Sequence, residues 1–386
     1  CIALVCAMRW QLTHRFIINR WAGFMFLFFS IMYFGRIMLD GPINQVDLGT
    51  PWKDYLMQMF GIALIPSIGF MIAMKARMAR IAYIGFLSAS VCSLLVCMFL
   101  YRDLIGLNYR VALSMNMNYQ RDELINPLVF SYTGVTVLLL SFHLMINNNR
   151  SKAKLITALI FMFAGSAGML FGGSRGAFIS GILTIAITIV VRRYSAIHRI
   201  GIIFATIIIL VIITLMTGYM VGFDAINRID FTGLSSLNPS AGSGRMGIWM
   251  NGLHQFAHSP LIGSGLEEAS ARYVVHNVYL EAFMATGIIG GSMFLVMMTM
   301  AFRNAIVIIY KYPLLAWIGM IFIQKALNGL MSLRLSDPII WFTMLLLLAY
   351  PVNNPAAMHS LMGFIRNPRT GYGPTPHLGG NRPFEN

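Results

Sequence analysis

The sequence predicts an all-α polytopic integral membrane protein, and three observations predict it. The chain is 58% hydrophobic and only 11% charged, with a mean hydropathy of +0.71, whereas a soluble domain carries about 25% charge to keep its surface wet. Apolar runs of about 20 residues, the length that crosses a bilayer core, fill most of the 386 residues. The Lys and Arg residues gather in alternate connections between those runs, as cytoplasmic loops do. The alternating pattern of a membrane β-barrel strand is absent.

Ten complete spans follow, at 21–38, 55–74, 81–100, 126–147, 155–172, 177–191, 200–220, 277–301, 313–330 and 338–352. The chain opens on Cys1, and residues 1–8 (CIALVCAM) read as the end of a preceding span, a lipid-modified Cys1 being the other reading. A further hairpin there brings the bundle to twelve. Residues 1–352 are expected to form one transmembrane domain and the Pro/Gly/Asn-rich 353–386 a flexible cytoplasmic tail. Cys1, Cys6, Cys92 and Cys97 show neither zinc nor disulfide spacing and read as small apolar residues.

Charge fixes the sidedness. Arg9, Arg15, Arg20, Lys75, Arg77, Arg80, Arg150, Lys152, Lys154, Arg192, Arg193, Arg199, Arg303, Lys311, Arg366, Arg369 and Arg382 all fall on one side if the spans alternate. That side has 17 of the 28 basic residues and Glu385 alone among the 13 acids; the other side has 11 basic residues and 12 acids. The net charge of +15 is therefore a topology signal and not a nucleic-acid footprint.

Three outward connections are long, at 39–54, 101–125 and 221–276, and long loops on a rigid scaffold carry function. In the last, RMGIWMNGLHQFAHSP reads as an amphipathic helix with Met246, Trp249, Met250, Leu253 and Phe256 at helical spacing. That stripe lies in the membrane interface or packs on the bundle.

The polar residues of chemical interest lie on the outward side. Arg175, in the GGSRG turn, suits phosphate binding or snorkels to headgroups. Arg245 opens the amphipathic helix as a phosphate contact or an interfacial anchor. Arg334, in SLRLSDP, is expected to pair with Asp337. His276 is a base or a structural imidazole. Asn277 adjoins it, and Glu281 stands one turn on, where an ionisable group is costly and tends to be functional or paired. Lys325, inside a span, is a counter-charge for Glu281 or for an Asp, or a substrate contact. His254 and His258 lack a compact metal-ligand spacing, so no metal or other cofactor is expected.

The run GSGRMGIWMNGLHQFAHSPLIGSGLEE…HNVYLEAFMATGIIGG resembles the O-antigen ligase and O-antigen polymerase family of bacterial envelope glycosyltransferases. The pattern falls on Arg245, Trp249, His258, Gly263, Gly265, His276, Asn277, Leu280, Gly287 and Gly290, with Ser259 inserted before Pro260. GGSRGAF matches the family's Ser-Arg-Gly element, and the resemblance is strongest over 170–295. It implies a GT-C-like bundle whose long periplasmic loop, 221–276, contains the amphipathic helix. It also implies an inner-membrane enzyme with its active site facing the periplasm, inverting and metal-independent. The implied donor is an undecaprenyl-diphosphate-linked glycan, and the implied acceptor a glycan or lipid A–core. By position, the resemblance makes Arg175 and Arg245 the diphosphate ligands and His276 the base. Asn277 and Trp249, which the pattern includes, and Arg334 and Glu281, which it does not, are expected as further substrate-binding residues, among membrane lipids. Ligation, polymerisation and transfer to protein hydroxyls remain open within the family. A transporter or lipid flippase is the rival class, although no broken helix or symmetric half is evident in the sequence; a non-catalytic assembly subunit is a third reading.

Overall fold

A computed structural model describes residues 18–100, 127–147, 151–172, 174–192 and 245–362. Asn19 accepts a hydrogen bond from the Trp21 amide and so starts helix α1, Arg20–Met38, which continues as a π-helical turn, Leu39–Ile43. Helix α2 begins at Trp52–Leu56, runs through a π-helical stretch, Met57–Leu64, and a last α turn, Ile65–Ser67, and closes in a 3-10 turn, Ile68–Phe70. Then come α3 (Ala76–Leu100), α4 (Pro127–Ile146), α5 (Lys152–Phe171) and α6 (Arg175–Val191). The later helices are α7 (Arg245–His258), α8 (Val278–Lys311), α9 (Ala316–Gly329), α10 (Pro338–Ala349) and α11 (Pro355–Met362). Side-chain caps set many of the starts: Ser151, Ser174, Asn277 and Asp337 each accept from amides of the first turn of α5, α6, α8 and α10.

The described residues contain no strand, only an isolated antiparallel bridge between Glu268 and Tyr273. Among the described residues four helices are long and apolar enough to cross a membrane: Arg20–Ile43, Ala76–Leu100, Lys152–Phe171 and Val278–Lys311. Phe130–Ile146, Gly176–Val191 and Pro338–Ala349 are shorter apolar helices. Burial runs as it does in lipid rather than in water. Trp21, Phe24, Leu27 and Ile31 of α1 and Ile81, Ile84, Leu95 and Phe99 of α3 are exposed, while Ser180, Thr184, Thr188 and Gln324 are fully buried. The expected span 200–220, the outward segment 101–125, residues 1–17, the loop at 221–244 and residues 363–386 lie outside the described residues. The tail is helical at its start: α11 buries Met358 and Leu361.

The core is an aromatic cluster between α1, α8 and α10. Phe29 stacks near Phe294 and Trp341, both at 5.5 Å between ring centroids, and Phe26 meets Trp341 edge-on at 5.9 Å. Helix α9 is buried along nearly its whole length. Helices α4 and α5 approach closely through glycine. A Cβ at Gly134 would lie 2.7 Å from the Gly165 carbonyl oxygen and 2.7 Å from the Gly168 carbonyl carbon, so the two backbones touch. Gly134→Val must push them apart. The expected cost is about 1–3 kcal/mol, typical of overpacking, and it is read as a lower melting temperature of the detergent-solubilised protein.

Helix α8 is not straight, although the sequence shows no sign of a break. Gly287, at φ 66° and ψ −168°, interrupts it, a conformation open to glycine and strained for other residues. The backbone groups released there are paired by an incoming loop. Ser264 and Gly265 amides donate to the Met284 carbonyl at 2.7 and 3.2 Å, and the Ile288 amide donates to the Pro260 carbonyl at 2.7 Å. Gly263, at φ 83°, lies so close that a Cβ would come 2.7 Å from the Ala285 carbonyl carbon. The glycines of SPLIGSG and GIIGG therefore serve one docking event, with irregular backbone filling a helix break inside the protein.

Candidate functional site

Three turns meet at one end of the bundle: the start of α6 (174–176), the passage into α8 (273–277) and the α9–α10 turn (328–337). The Ser174 amide donates to Ser131 Oγ at 3.1 Å and its hydroxyl accepts from the Ala177 amide at 3.3 Å, which fixes Arg175 as the first helical residue of α6. Gly176 faces the α9–α10 turn closely: a Cβ there would lie 2.9 Å from Asn328 Oδ1 and 3.2 Å from Ser332 Oγ. Asn277 caps α8 and donates from Nδ2 to the Leu330 carbonyl at 3.2 Å. The Tyr279 hydroxyl donates to the Ala326 carbonyl at 3.1 Å.

His276 has a positive φ of 51°. Such backbone costs of order 1–3 kcal/mol in a non-glycine residue and persists where surrounding contacts over-determine it. Its Nε2 lies 3.0 Å from the Tyr273 hydroxyl. The Arg334 guanidinium sits 6.0 Å over the Tyr273 ring, within cation–π range. His276, Tyr273 and Arg334 thus form one chain of contacts, and Arg334 Nε is buried without a hydrogen-bond partner among the described residues. Glu281 is buried and accepts from the Leu335 amide at 2.8 Å, with Arg334 and Tyr33 beside it.

The expected Arg334–Asp337 pair does not form. Asp337 is the cap of α10, accepting from the Ile339 amide through Oδ1 at 2.9 Å. That orientation turns Oδ2 toward α9, where it meets Lys325 Nζ at 3.0 Å. Lys325 is buried, so it takes the nearest carboxylate. The counter-charge left open in the sequence is Asp337 and not Glu281.

Helix α7 splits the stripe that the sequence offered as one face. Trp249 donates from Nε1 to the Val275 carbonyl at 2.8 Å, and Phe256 meets Phe283 edge-on at 5.8 Å. Gly252 is buried against Met284 and Val275. Met246, Met250 and Leu253 are exposed together with Leu261 and Ile262 of the following loop. One edge packs on α8 and the other leaves an apolar strip uncovered. Arg245 is the first residue of α7.

The structure also brings in residues that the sequence reading passed over. Arg36 of α1, almost wholly buried, donates to the carbonyls of Ala285 (3.1 Å), Ile262 (3.0 Å) and Gly263 (2.6 Å) and to Asp40 Oδ1 (3.2 Å). Asp40 Oδ2 accepts from the Leu266 amide at 3.0 Å. Glu267 accepts from the Gly49 and Thr50 amides at 2.7 and 3.0 Å and from the Tyr55 hydroxyl at 2.6 Å. Burial alone would raise the pKa of Glu268, but hydrogen bonds from Ser270, Ala271 and Asn251 outweigh it and hold the carboxyl below its ordinary range. The only cue in the sequence was that Arg36 stands inside an apolar run, 21–38. Among the described residues no three His, Cys, Asp or Glu side chains stand together as a metal site.

The apolar helices and their inside-out burial define a multi-pass helical membrane protein. Residues 157–295 match the model of the family described as O-antigen ligase. The match takes in α6, α7 and the break in α8, together with the loops that pass the site. No curated protein and no solved structure matches.

Proposed function

We propose that the chain is an inner-membrane glycosyltransferase that moves a glycan from undecaprenyl diphosphate to an acceptor hydroxyl, as an O-antigen ligase or polymerase, on the periplasmic side. The observation that supports this reading is the meeting of the α6 start, the α8 entrance and the α9–α10 turn: Gly176 packs against Asn328 and Ser332, Asn277 bonds to the Leu330 carbonyl, and Tyr273 contacts both the His276 imidazole and the Arg334 guanidinium. In the proposed reaction His276 takes the acceptor hydroxyl proton. The acceptor oxygen bonds to the anomeric carbon from the side opposite the carrier, and the bond from that carbon to the diphosphate oxygen breaks with inversion. The charge left on the diphosphate falls to Arg175 and Arg245. Arg334, with an unengaged Nε, is a third donor. Fixed guanidinium donors stabilise a leaving phosphate as a metal ion would, by lowering the energy of developing charge. Asn277 and Trp249 hold the entrance of α8 and the segment before it, and Glu281 orients the turn that carries Arg334.

The transporter reading draws on the break in α8, since broken helices expose backbone to ions. Here those groups are already bonded to residues 260–265 and to Arg36, which leaves the break occupied by protein. The test uses purified protein in nanodiscs with polyprenyl-diphosphate glycan, acceptor and EDTA. Product is expected. Arg175→Ala and Arg245→Ala should each lower turnover roughly 100- to 1,000-fold, the usual loss of one transition-state donor. Two active variants, or a wild type that needs a divalent ion, contradict the mechanism. Ligation and polymerisation separate on a gel of envelope glycolipids after gene deletion. Loss of all long chains on the core marks a ligase, and capping with a single repeat marks a polymerase.

A further inference from the structure

Helix α7 presents three faces in turn. Trp249, Gly252 and Phe256 pack on α8 and on the segment before it. Met246, Met250, Leu253 and Ala257 are exposed, at the i, i+4, i+7, i+11 spacing of a single helical stripe. His254 and His258, also exposed, lie roughly 90° further round the axis at about 3.6 residues per turn. Protein, apolar stripe and polar face thus follow one another around the helix. Its sequence, RMGIWMNGLHQFAH, contains no carboxylate.

The apolar stripe does not end with the helix. Leu261 and Ile262 are exposed beyond it, and the loop that carries them is bonded to α8. The Pro260 carbonyl accepts from the Ile288 amide at 2.7 Å, and a Cβ at Gly287 would lie 2.5 Å from the Ile262 amide nitrogen. Ile288 and Ile289, exposed on α8, adjoin that loop. The uncovered strip is therefore continuous with the exposed apolar surface of a helix long and apolar enough to cross a membrane.

Depth along α8 decides what covers the strip. A hydrocarbon core of about 30 Å takes about 20 residues of helix, at a rise of about 1.5 Å each. Arg303 and Lys311 are exposed toward the far end of α8, where long basic side chains reach lipid headgroups. Counted back from those two residues, the core ends between about residues 283 and 291. Gly287, where the loop docks, falls inside that interval. The strip accordingly lies where acyl chains give way to headgroups. A water-soluble partner does not reach that level, whereas phospholipid already surrounds it. The lack of a carboxylate spares α7 repulsion from lipid phosphates, and its apolar stripe beside a polar face is the form of a helix that lies in the interface plane.

We propose that α7 is an interfacial helix, with the strip from Met246 to Ala257, and Leu261 and Ile262 after it, seated in the phospholipid of one leaflet while His254 and His258 face water. The proposal does not rest on the transferase reading, which can fail without touching it. The experiment uses the full chain with its four cysteines changed to alanine, in nanodiscs of phosphatidylethanolamine and phosphatidylglycerol. A spin label is placed on one new cysteine at a time: Met250→Cys, Leu253→Cys, Ala257→Cys, His254→Cys or His258→Cys, all at exposed positions where no packing is lost. Power-saturation EPR compares collisions with oxygen, which concentrates in lipid, and with a water-soluble nickel chelate. Oxygen is expected to prevail at 250, 253 and 257 and nickel at 254 and 258, so that the preference reverses between the neighbours 253 and 254. Nickel prevailing at all five positions puts the strip in water and overturns the proposal. Exclusion of both reagents at 250, 253 and 257 means that protein covers the strip and also overturns it, with dipolar broadening marking a second copy of the chain as the cover. Oxygen prevailing at all five overturns the interfacial orientation. If the cysteine-free chain does not fold, Leu253→benzoylphenylalanine in the otherwise native chain replaces the labels. Photo-adducts with phospholipid, read by mass spectrometry, support the proposal; adducts with protein alone, or none, overturn it.

Discussion

Arg36→Met is expected to destabilise the protein by about 3–5 kcal/mol, the range for a buried ion pair deprived of one partner. Methionine keeps much of the length and apolar volume, so the loss falls on the polar network. Asp40 would remain buried with only the Leu266 amide to answer it. The carbonyls of Ile262 and Gly263 and the Ala285 carbonyl at the α8 break would lose their shared donor. Each buried acceptor left unpaired costs about 1–3 kcal/mol, which partial rearrangement of the loop reduces. Arg36→Lys should recover only part of the stability, because one ammonium cannot reach three carbonyls and a carboxylate with the planar spread of a guanidinium. Thermal unfolding in detergent, followed by tryptophan fluorescence, reads the effect. A melting temperature unchanged in Arg36→Met would mean that the clamp contributes nothing to the fold. Transfer activity should fall with stability, since the clamped loop joins α7, which begins at Arg245, to the passage that ends at His276.

Why Arg36 escaped the sequence reading is instructive about what composition carries. Membrane spans are legible because lipid imposes one requirement along a whole segment, and nearly every apolar run in the described residues became a helix close to its expected limits. Arg36 stands inside the first of those runs, and an arginine at such a place signals a partner. Its partners, however, are main-chain carbonyls from residues 262, 263 and 285, and a carbonyl has no letter of its own. The same limit applies to the break at Gly287. The Gly-x-x-Gly pattern was visible, but φ at a glycine is set by the loop that docks there, not by its neighbours in sequence. Asp337 shows a different limit. Two cations, Lys325 and Arg334, competed for one carboxylate, and sequence proximity favoured the wrong one. The cap geometry of α10 decided it, together with the depth at which Lys325 is buried. The family pattern pointed to His276 and residue type alone to Arg334, while Tyr273, which links them, had no motif to mark it.

The second large effect is expected at His276. His276→Ala should lower turnover about 100- to 10,000-fold, the contribution of a positioned general base, while binding of the carrier-linked glycan changes little. Two features make this sharper than the loss of an ordinary surface histidine. The residue is held at a strained φ, and the Tyr273 hydroxyl fixes its ring, so the orientation is set before substrate arrives. Asn277, the next residue, ties the same backbone to the α9–α10 turn through Leu330. Tyr273→Phe removes the hydroxyl but keeps the ring under Arg334. It should therefore cost less than His276→Ala and appear in kcat rather than KM, because the imidazole loses its orientation and not its chemistry. The pH profile provides a check independent of folding. Only neutral imidazole accepts a proton, so wild-type turnover should fall on the acid side, and the residual activity of His276→Ala should lack that limb. Near wild-type turnover in His276→Ala would remove the base from the mechanism. An acid limb that survives in the variant would assign it to another group, for which Glu281, buried beside Arg334, is a carboxylate to test.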